Sequence, residues 1–286
     1  MKPITLRDAH KEFAKFLESK KRSSATIVAY NKDIDQLIEH LQTLSKTQAH
    51  ESTKENLESF LEKLKNQGYT PKSISRKLNS TRTFYRFLKI NEYITDDPSL
   101  LVAHPEYQLA APRILTLMEY RALRDAARND PRMFAIIELL LQTGMRIGEL
   151  SGLTMDDVRP EGLYIRPFEK HEERIIPLNR PAREALEHYL ETRPNVKETR
   201  VFVTKSGRPF LIRNIRTAVE RYFQLAEIKN AKVNDLRHTF IAHHLKHGVS
   251  LVLLSKIVGH KRLSTTERYL EFVPDRAKEN TNLTEL

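Results

Sequence analysis

Along the first hundred residues apolar side chains recur at spacings of three and four: Phe13, Phe16 and Leu17, then Ile34, Leu37, Ile38 and Leu41. That is the helical period, and strand signals are absent from this stretch. Thr70 followed by Pro71 supplies an N-cap and a first-turn proline, which predicts a helix over residues 71–89. Ile74, Leu78, Tyr85 and Leu88 share one of its faces. Turn formers and prolines then crowd residues 91–113, among them Asn91, Asp96, Asp97, Pro98, Pro105 and Pro112, and a domain boundary is expected there.

Beyond it the pattern is mixed. Residues 133–142 form an apolar helical run that Thr143 and Gly144 close, and a short helix follows over residues 146–151. Residues 163–168 and 174–178 read as two strands joined by a polar turn through Lys170, His171 and Glu172, a β-hairpin with a lysine at its tip. Further helices are predicted over residues 180–193, 213–226, 234–247, 250–258 and 265–272, the last with a capping box of Ser264 and Glu267. The expected fold is therefore mainly α with a small β-sheet. An all-helical domain spans residues 1–104, a linker 105–113, and an α+β domain 114–286 whose polar tail begins at about 274.

Composition narrows the classes. The chain of 286 residues is 40% hydrophobic and 30% charged, which excludes a wholly disordered or fibrous protein. With 8 Gly, 13 Pro and no long repeat, collagen-like and solenoid readings fall away. The absence of cysteine removes disulfides, thiolate nucleophiles and Cys-ligated metals, and fits a reducing compartment. No apolar run reaches the ~18 residues of a membrane span. Residues 1–9 lack the apolar stretch of a signal peptide, so a cytoplasmic protein is expected.

A net charge of +11 favours a polyanionic partner, most simply nucleic acid. Split at residue 110, the two parts carry +4 and +7, as suits two domains facing one ligand. From Lys63 to Asn91 there are eight basic residues and no acidic one. On the predicted helix, Lys72, Arg76, Asn79, Thr83 and Arg86 lie opposite the apolar face in a stripe about 20 Å long. Lys72, Arg76, Arg82 and Arg86 are the candidate DNA-binding residues, with a solvated cationic face as the alternative. His243 and His247 have zinc-like spacing, but no Glu follows the first and no cysteine is near, so no metal site is expected. His238 and His244 read as helix residues satisfying local hydrogen bonds.

Four segments carry a likeness to a known family: Thr143 to Leu153 (TGMRIGELSGL), Lys170 to Leu178 (KHEERIIPL), Asn234 to His244 (NDLRHTFIAHH) and Val258 to Leu270 (VGHKRLSTTERYL). In this order, with Tyr269 nine positions after His260, they resemble the tyrosine recombinases, or site-specific integrases, and within them the Xer type. The resemblance implies a helical DNA-clamping domain before a catalytic one. It makes Arg146 and Arg237 the catalytic arginines, Lys170 the hairpin lysine, His260 the late histidine and Tyr269 the nucleophile. It further implies double-stranded DNA with a specific recombination site as partner, two protomers per site and four in the synapse, C-terminal tails docked in neighbours, no membrane and no cofactor. The two-domain length suits the Xer type, which resolves chromosome dimers. One position departs: where the family usually has histidine, three residues before the second arginine, stands Asn234. Asparagine can donate a hydrogen bond but cannot shuttle a proton, so either that role is positional here or another group is the base.

The residue types suit the chemistry on physical grounds. Cutting a phosphodiester without a metal requires fixed cations against the charge that builds on phosphorus, and arginine offers a planar fork that stays protonated. A phenol with a pKa of about 10 is ionised only about once in a thousand at neutral pH, so Tyr269 needs help. The leaving 5′-oxygen needs a proton, which a lysine lowered by nearby arginines can supply. Two other readings stay open: a type IB topoisomerase-like relaxing enzyme, and a non-catalytic DNA-binding relative.

Overall fold

The computed structural model describes residues 2–108, 110–167 and 172–273. They form two compact units, Met1–Leu109 and Ala110–Leu286.

The first unit is helical. Helices α1 (Leu6–Ser19), α2 (Ser24–Thr43), α3 (Lys54–Asn66) and α4 (Pro71–Ile90) enclose one core. The predicted stripes are its substance: Phe13, Leu17, Ile34, Leu37, Ile38 and Leu41 are buried, with Phe13 edge-on to Phe84 at 5.2 Å. Thr70 caps α4 by accepting the Ser73 N–H, and Pro71 opens it.

The second unit runs α5 (Leu117–Ala127), α6 (Pro131–Thr143), α7 (Ile147–Gly152), β1 (Val158–Arg159), β2 (Gly162–Ile165), β3 (Arg174–Ile176), α8 (Arg180–Thr192), α9 (Ile212–Leu225), α10 (Val233–Lys246), α11 (Leu251–Val258) and α12 (Ser264–Glu267), the last continued by a 3-10 turn, Arg268–Phe272. The strands make an antiparallel sheet in the order β1-β2-β3, with Ile165 opposite Arg174. Helix α6 is buried over most of its length and packs against α5, α8 and α10. The expected mainly helical fold with a small sheet is what the chain adopts. Strand β1 is an addition, two residues too short to show a period. The hairpin strands are shorter than expected, and residues 168–171 at its turn lie outside the described residues.

One local expectation is corrected. Ser264 does not cap the last helix, because Leu263 already has helical backbone angles (φ −57°, ψ −37°) and Ser264 is the first helical residue. A serine hydroxyl closes a helix only from an extended N-cap.

Candidate active site

Two glycines set the frame. Gly144 ends α6 in the left-handed conformation at φ 59°, and a Cβ there would stand 2.4 Å from the Phe240 ring. Gly259 ends α11 at φ 67°, where a Cβ would meet the Arg174 guanidinium at 2.8 Å. Only glycine fits both the backbone angle and the space. These turns expose carbonyls to a group of arginines. Arg237, on α10 and 6% exposed, donates from Nη1 to the Gly144 carbonyl (2.6 Å) and from Nη2 to that of Val258 (2.7 Å). Arg146, at the N-cap of α7, donates from Nη2 to the Gly259 carbonyl (2.8 Å) and from Nη1 to that of Val258 (3.4 Å). The two guanidiniums thus share one carbonyl.

Glu149, one turn along α7, binds the Arg146 backbone N–H at 2.8 Å and its Nη1 at 3.0 Å. It also accepts Arg174 Nη2 at 2.8 Å. Arg174, from β3, donates Nε to the Ile257 carbonyl at 2.7 Å. Arg174 was not singled out in the sequence. A charged residue facing inward from a three-residue strand leaves no period to find. Helix α7 has only six residues, and the backbone N–H at its N-cap is taken by Glu149.

Tyr269, 7% exposed in the 3-10 turn, reaches back to α10: its Oη lies 2.6 Å from His238 Nδ1. His238 Nε2 in turn lies 2.7 Å from Asn234 Nδ2. Asn234, Arg237 and His238 are neighbours at three and four residues along one helix face. His260 follows the Gly259 turn, its Nδ1 2.8 Å from Thr266 Oγ1 and its ring 6.4 Å from that of Tyr269. Arg146, Arg237, His260 and Tyr269 are therefore brought together, with Asn234 attached through His238. Lys170 lies outside the described residues.

Burial and the arginines set the protonation states. Burial, then Arg146, pushes Arg237 down to about 9, which leaves it cationic at neutral pH. Burial and the charges of Arg237 and Arg146 push His260 down to about 3, so its ring is neutral. Burial and Arg237 also lower His238, against the opposing pull of Asp235. Tyr269 is raised by burial, which outweighs the lowering effect of Arg237 and Arg268.

The candidate DNA-binding residues divide. Arg76 grips Asp33 of α2 with both amino groups (2.5 and 2.9 Å), although its side chain remains half exposed. Arg82 turns inward and donates to the Ser99 and Val102 carbonyls at 3.2 and 2.7 Å. Lys72 and Arg86 stand exposed. The stripe was drawn from one helix alone, and the acceptors that draw Arg76 and Arg82 inward lie on other segments. Among the described residues no helix is long and apolar enough to cross a membrane, and no group of three acidic or histidine side chains is placed to hold a metal.

Comparison with known proteins agrees with this layout. The phage integrase family model matches residues 112–274, and the phage integrase N-terminal SAM-like domain matches residues 11–92. The chain belongs to the phage integrase family. Tyrosine recombinase XerD of Halalkalibacterium halodurans is 31% identical over 269 residues, 90% of each chain. Tyrosine recombinase XerC of Chlorobaculum tepidum is 31% identical over 306 residues, 94% of this chain and 91% of that one. A lambda integrase (75-356) dimer bound to a COC′ core site has the same fold, with a TM-score of 0.76 at 17% identity over 92% of this chain and 97% of that one. Within the family the chain is a site-specific tyrosine recombinase of the Xer-like kind, a DNA strand-transferring enzyme.

Proposed function

We propose that the second unit cuts and rejoins duplex DNA through a 3′-phosphotyrosyl intermediate. The Tyr269 oxygen attacks the scissile phosphorus, the bond to the 5′-oxygen breaks, and Lys170 supplies the proton that leaves with that oxygen. Arg146, Arg237 and a neutral His260 hold the phosphoryl oxygens. The bond energy kept in the phosphotyrosine permits rejoining without ATP, and no metal or cofactor is required. What carries this reading is the pair of arginines sharing the Val258 carbonyl, within a cluster that also holds Tyr269. Arg237 is held by neutral carbonyls, which orient it without cancelling its charge, and Arg146 by carbonyls together with Glu149.

The target is a specific duplex site, bound as a dimer and joined as a tetramer, as the lambda integrase dimer on its core site and the tetramer on a Holliday junction exemplify for that protein. The helical unit, residues 1–104, clamps this DNA, with Lys72 and Arg86 as its phosphate contacts and residues 105–113 as the linker. Residues 274–286 dock in a neighbouring protomer. The likeness to XerC and XerD supports resolution of chromosome dimers in the cytoplasm.

The test is covalent trapping on a nicked duplex selected from a random-sequence library for capture by the wild-type protein. A protein–DNA adduct that Tyr269→Phe abolishes is the expected result. No adduct, or an adduct that survives Tyr269→Phe, overturns the reading. Relaxation of plasmid lacking the selected site as the main activity points instead to a topoisomerase.

A further inference from the structure

The usual histidine is missing from position 234, and the nucleophile still needs a place to send its proton. We infer that His238 takes the Tyr269 proton, and that Asn234 holds the His238 ring in place for that transfer. The inference rests on Tyr269 being the nucleophile.

The observations form a chain of three side chains. Tyr269 Oη stands 2.6 Å from His238 Nδ1, and His238 Nε2 stands 2.7 Å from the Asn234 amide. Nucleophile, base within hydrogen-bond reach, and a third group on the far ring nitrogen is the arrangement by which weak nucleophiles are activated. Asparagine serves as the third member of such a set in papain-like proteases. Helix α10 supplies both partners, because residues four apart stack on one face. The same helix carries Arg237 one residue earlier, so the phosphate clamp and the proton acceptor sit on one rigid element.

The other titratable groups around the ring leave it able to accept a proton. Arg237 and burial disfavour the imidazolium, Asp235 opposes them, and His260 is itself neutral. A ring kept largely unprotonated at neutral pH has a free nitrogen for the phenol. An amide both donates and accepts, and turning it about its last bond exchanges Nδ2 for Oδ1, so Asn234 can meet either neutral tautomer. For the transfer the ring carries its proton on Nε2, donated to Oδ1. Nδ1 then accepts the proton from Tyr269 Oη as the oxygen bonds to phosphorus. The imidazolium so formed keeps Asn234 on one side, and it returns the proton to Oη when the 5′-hydroxyl attacks and the strand is rejoined. His260, held by Thr266, is left free to face the phosphate.

Single-turnover covalent capture on the selected nicked duplex reads this directly. General-base loss slows such steps by about 10²–10⁴-fold, and His238→Ala is expected in that range. His238→Asn is the deciding variant, since its amide sits where Nδ1 was and can hold the tyrosine but cannot take its proton. It is expected to be as slow as His238→Ala. A substrate whose leaving 5′-oxygen is replaced by sulfur needs no proton on departure, so it rescues Lys170→Ala and leaves both His238 variants slow. Asn234→Asp places a carboxylate against the ring, favours its charged form, and is expected to move the acidic limb of the rate profile to higher pH. On the unliganded wild-type protein, nitrogen-15 spectra of the ring are expected to report the Nε2–H tautomer at neutral pH.

His238→Asn within threefold of wild type, or rescue of the His238 variants by the sulfur substrate, overturns the inference while the strand-transfer reading stands. So does a ring that carries its proton on Nδ1 at neutral pH. Loss of the adduct from wild type itself overturns both readings together.

Discussion

Replacing Glu149 by glutamine removes one negative charge from a cluster of three arginines while keeping its shape. The Glu149 side chain is 13% exposed, and it binds Arg174 (10%) and Arg146 (32%). Breaking a buried pair from one side costs about 3–5 kcal/mol, because the remaining charge is left uncompensated. Arg174 is the partner to which that figure applies. The more exposed Arg146 adds no more than about 1 kcal/mol. A unit of this size loses about 2–4 °C per kcal/mol, so the calorimetric midpoint of the second unit should fall by about 6–24 °C at pH 7. Acid supplies an internal control. Burial raises the Glu149 carboxyl, but hydrogen bonds and charge from Arg174 and Arg146 outweigh it and hold the group below its ordinary 4.5. A lowered folded value means that the stabilisation is complete above the unfolded carboxyl's pKa and is lost as pH falls through the folded one. The gap between wild type and Glu149→Gln should therefore be widest at neutral pH and close in acid. Midpoints within about 1 °C at pH 7, or a gap that persists unchanged to pH 3, refute the view that this carboxylate holds the arginines together.

Asp33 should matter to the first unit in the same way. Asp33→Ala leaves the buried Lys77 without its 2.8 Å carboxylate partner and should cost about 3–5 kcal/mol in urea unfolding, most of it recovered by adding Lys77→Met. Gly144→Ala forces a methyl group into the Phe240 ring at a left-handed position. It should destabilise by more than about 1 kcal/mol and slow covalent capture, since the Gly144 carbonyl orients Arg237. Lys72→Ala and Arg86→Ala should each shallow the log–log salt dependence of DNA binding by about one unit. Arg82→Ala should leave that slope unchanged and lower the thermal midpoint of the first unit, because its guanidinium ties the 98–102 segment to α4.

The fold was legible wherever a period ran long enough. Helices α1, α2, α4, α6, α8 and α9 follow stripes or apolar runs visible in the chain, and the start at Thr70–Pro71 and the stop at Gly144 are chemical rather than statistical. Strand β1 was not legible, since it is too short to display a repeat, and the single helix expected over 265–272 divides into α12 and the 3-10 turn at Arg268–Phe272. In the site, motif order pointed to Arg146, Arg237, His260 and Tyr269, yet it was silent on what each side chain grips. His238 is the clearest case. Its spacing from Asn234 was on the page, but the bond to Tyr269 joins residues 31 positions apart, and only the packing of the 3-10 turn onto α10 brings them within reach.

The same packing explains why so much positive charge can be collected in a buried place. Among the described residues, Glu149 is the one carboxylate hydrogen-bonded to the group of Arg146, Arg174 and Arg237. Three guanidiniums against one carboxylate leave a surplus of two positive charges, oriented by the carbonyls of Gly144, Ile257, Val258 and Gly259. Burial, and after it the arginine charge, pushes both nearby histidines below their ordinary range, and protonating either would add to that surplus. A phosphodiester entering the cluster would relieve part of the repulsion, and the extra charge of a pentacovalent phosphorus would relieve more. The repulsion built into the cluster thus favours the transition state over the bound substrate, the differential on which rate depends. Burial together with that repulsion keeps the histidines neutral, so that one of them is free to receive the tyrosine's proton.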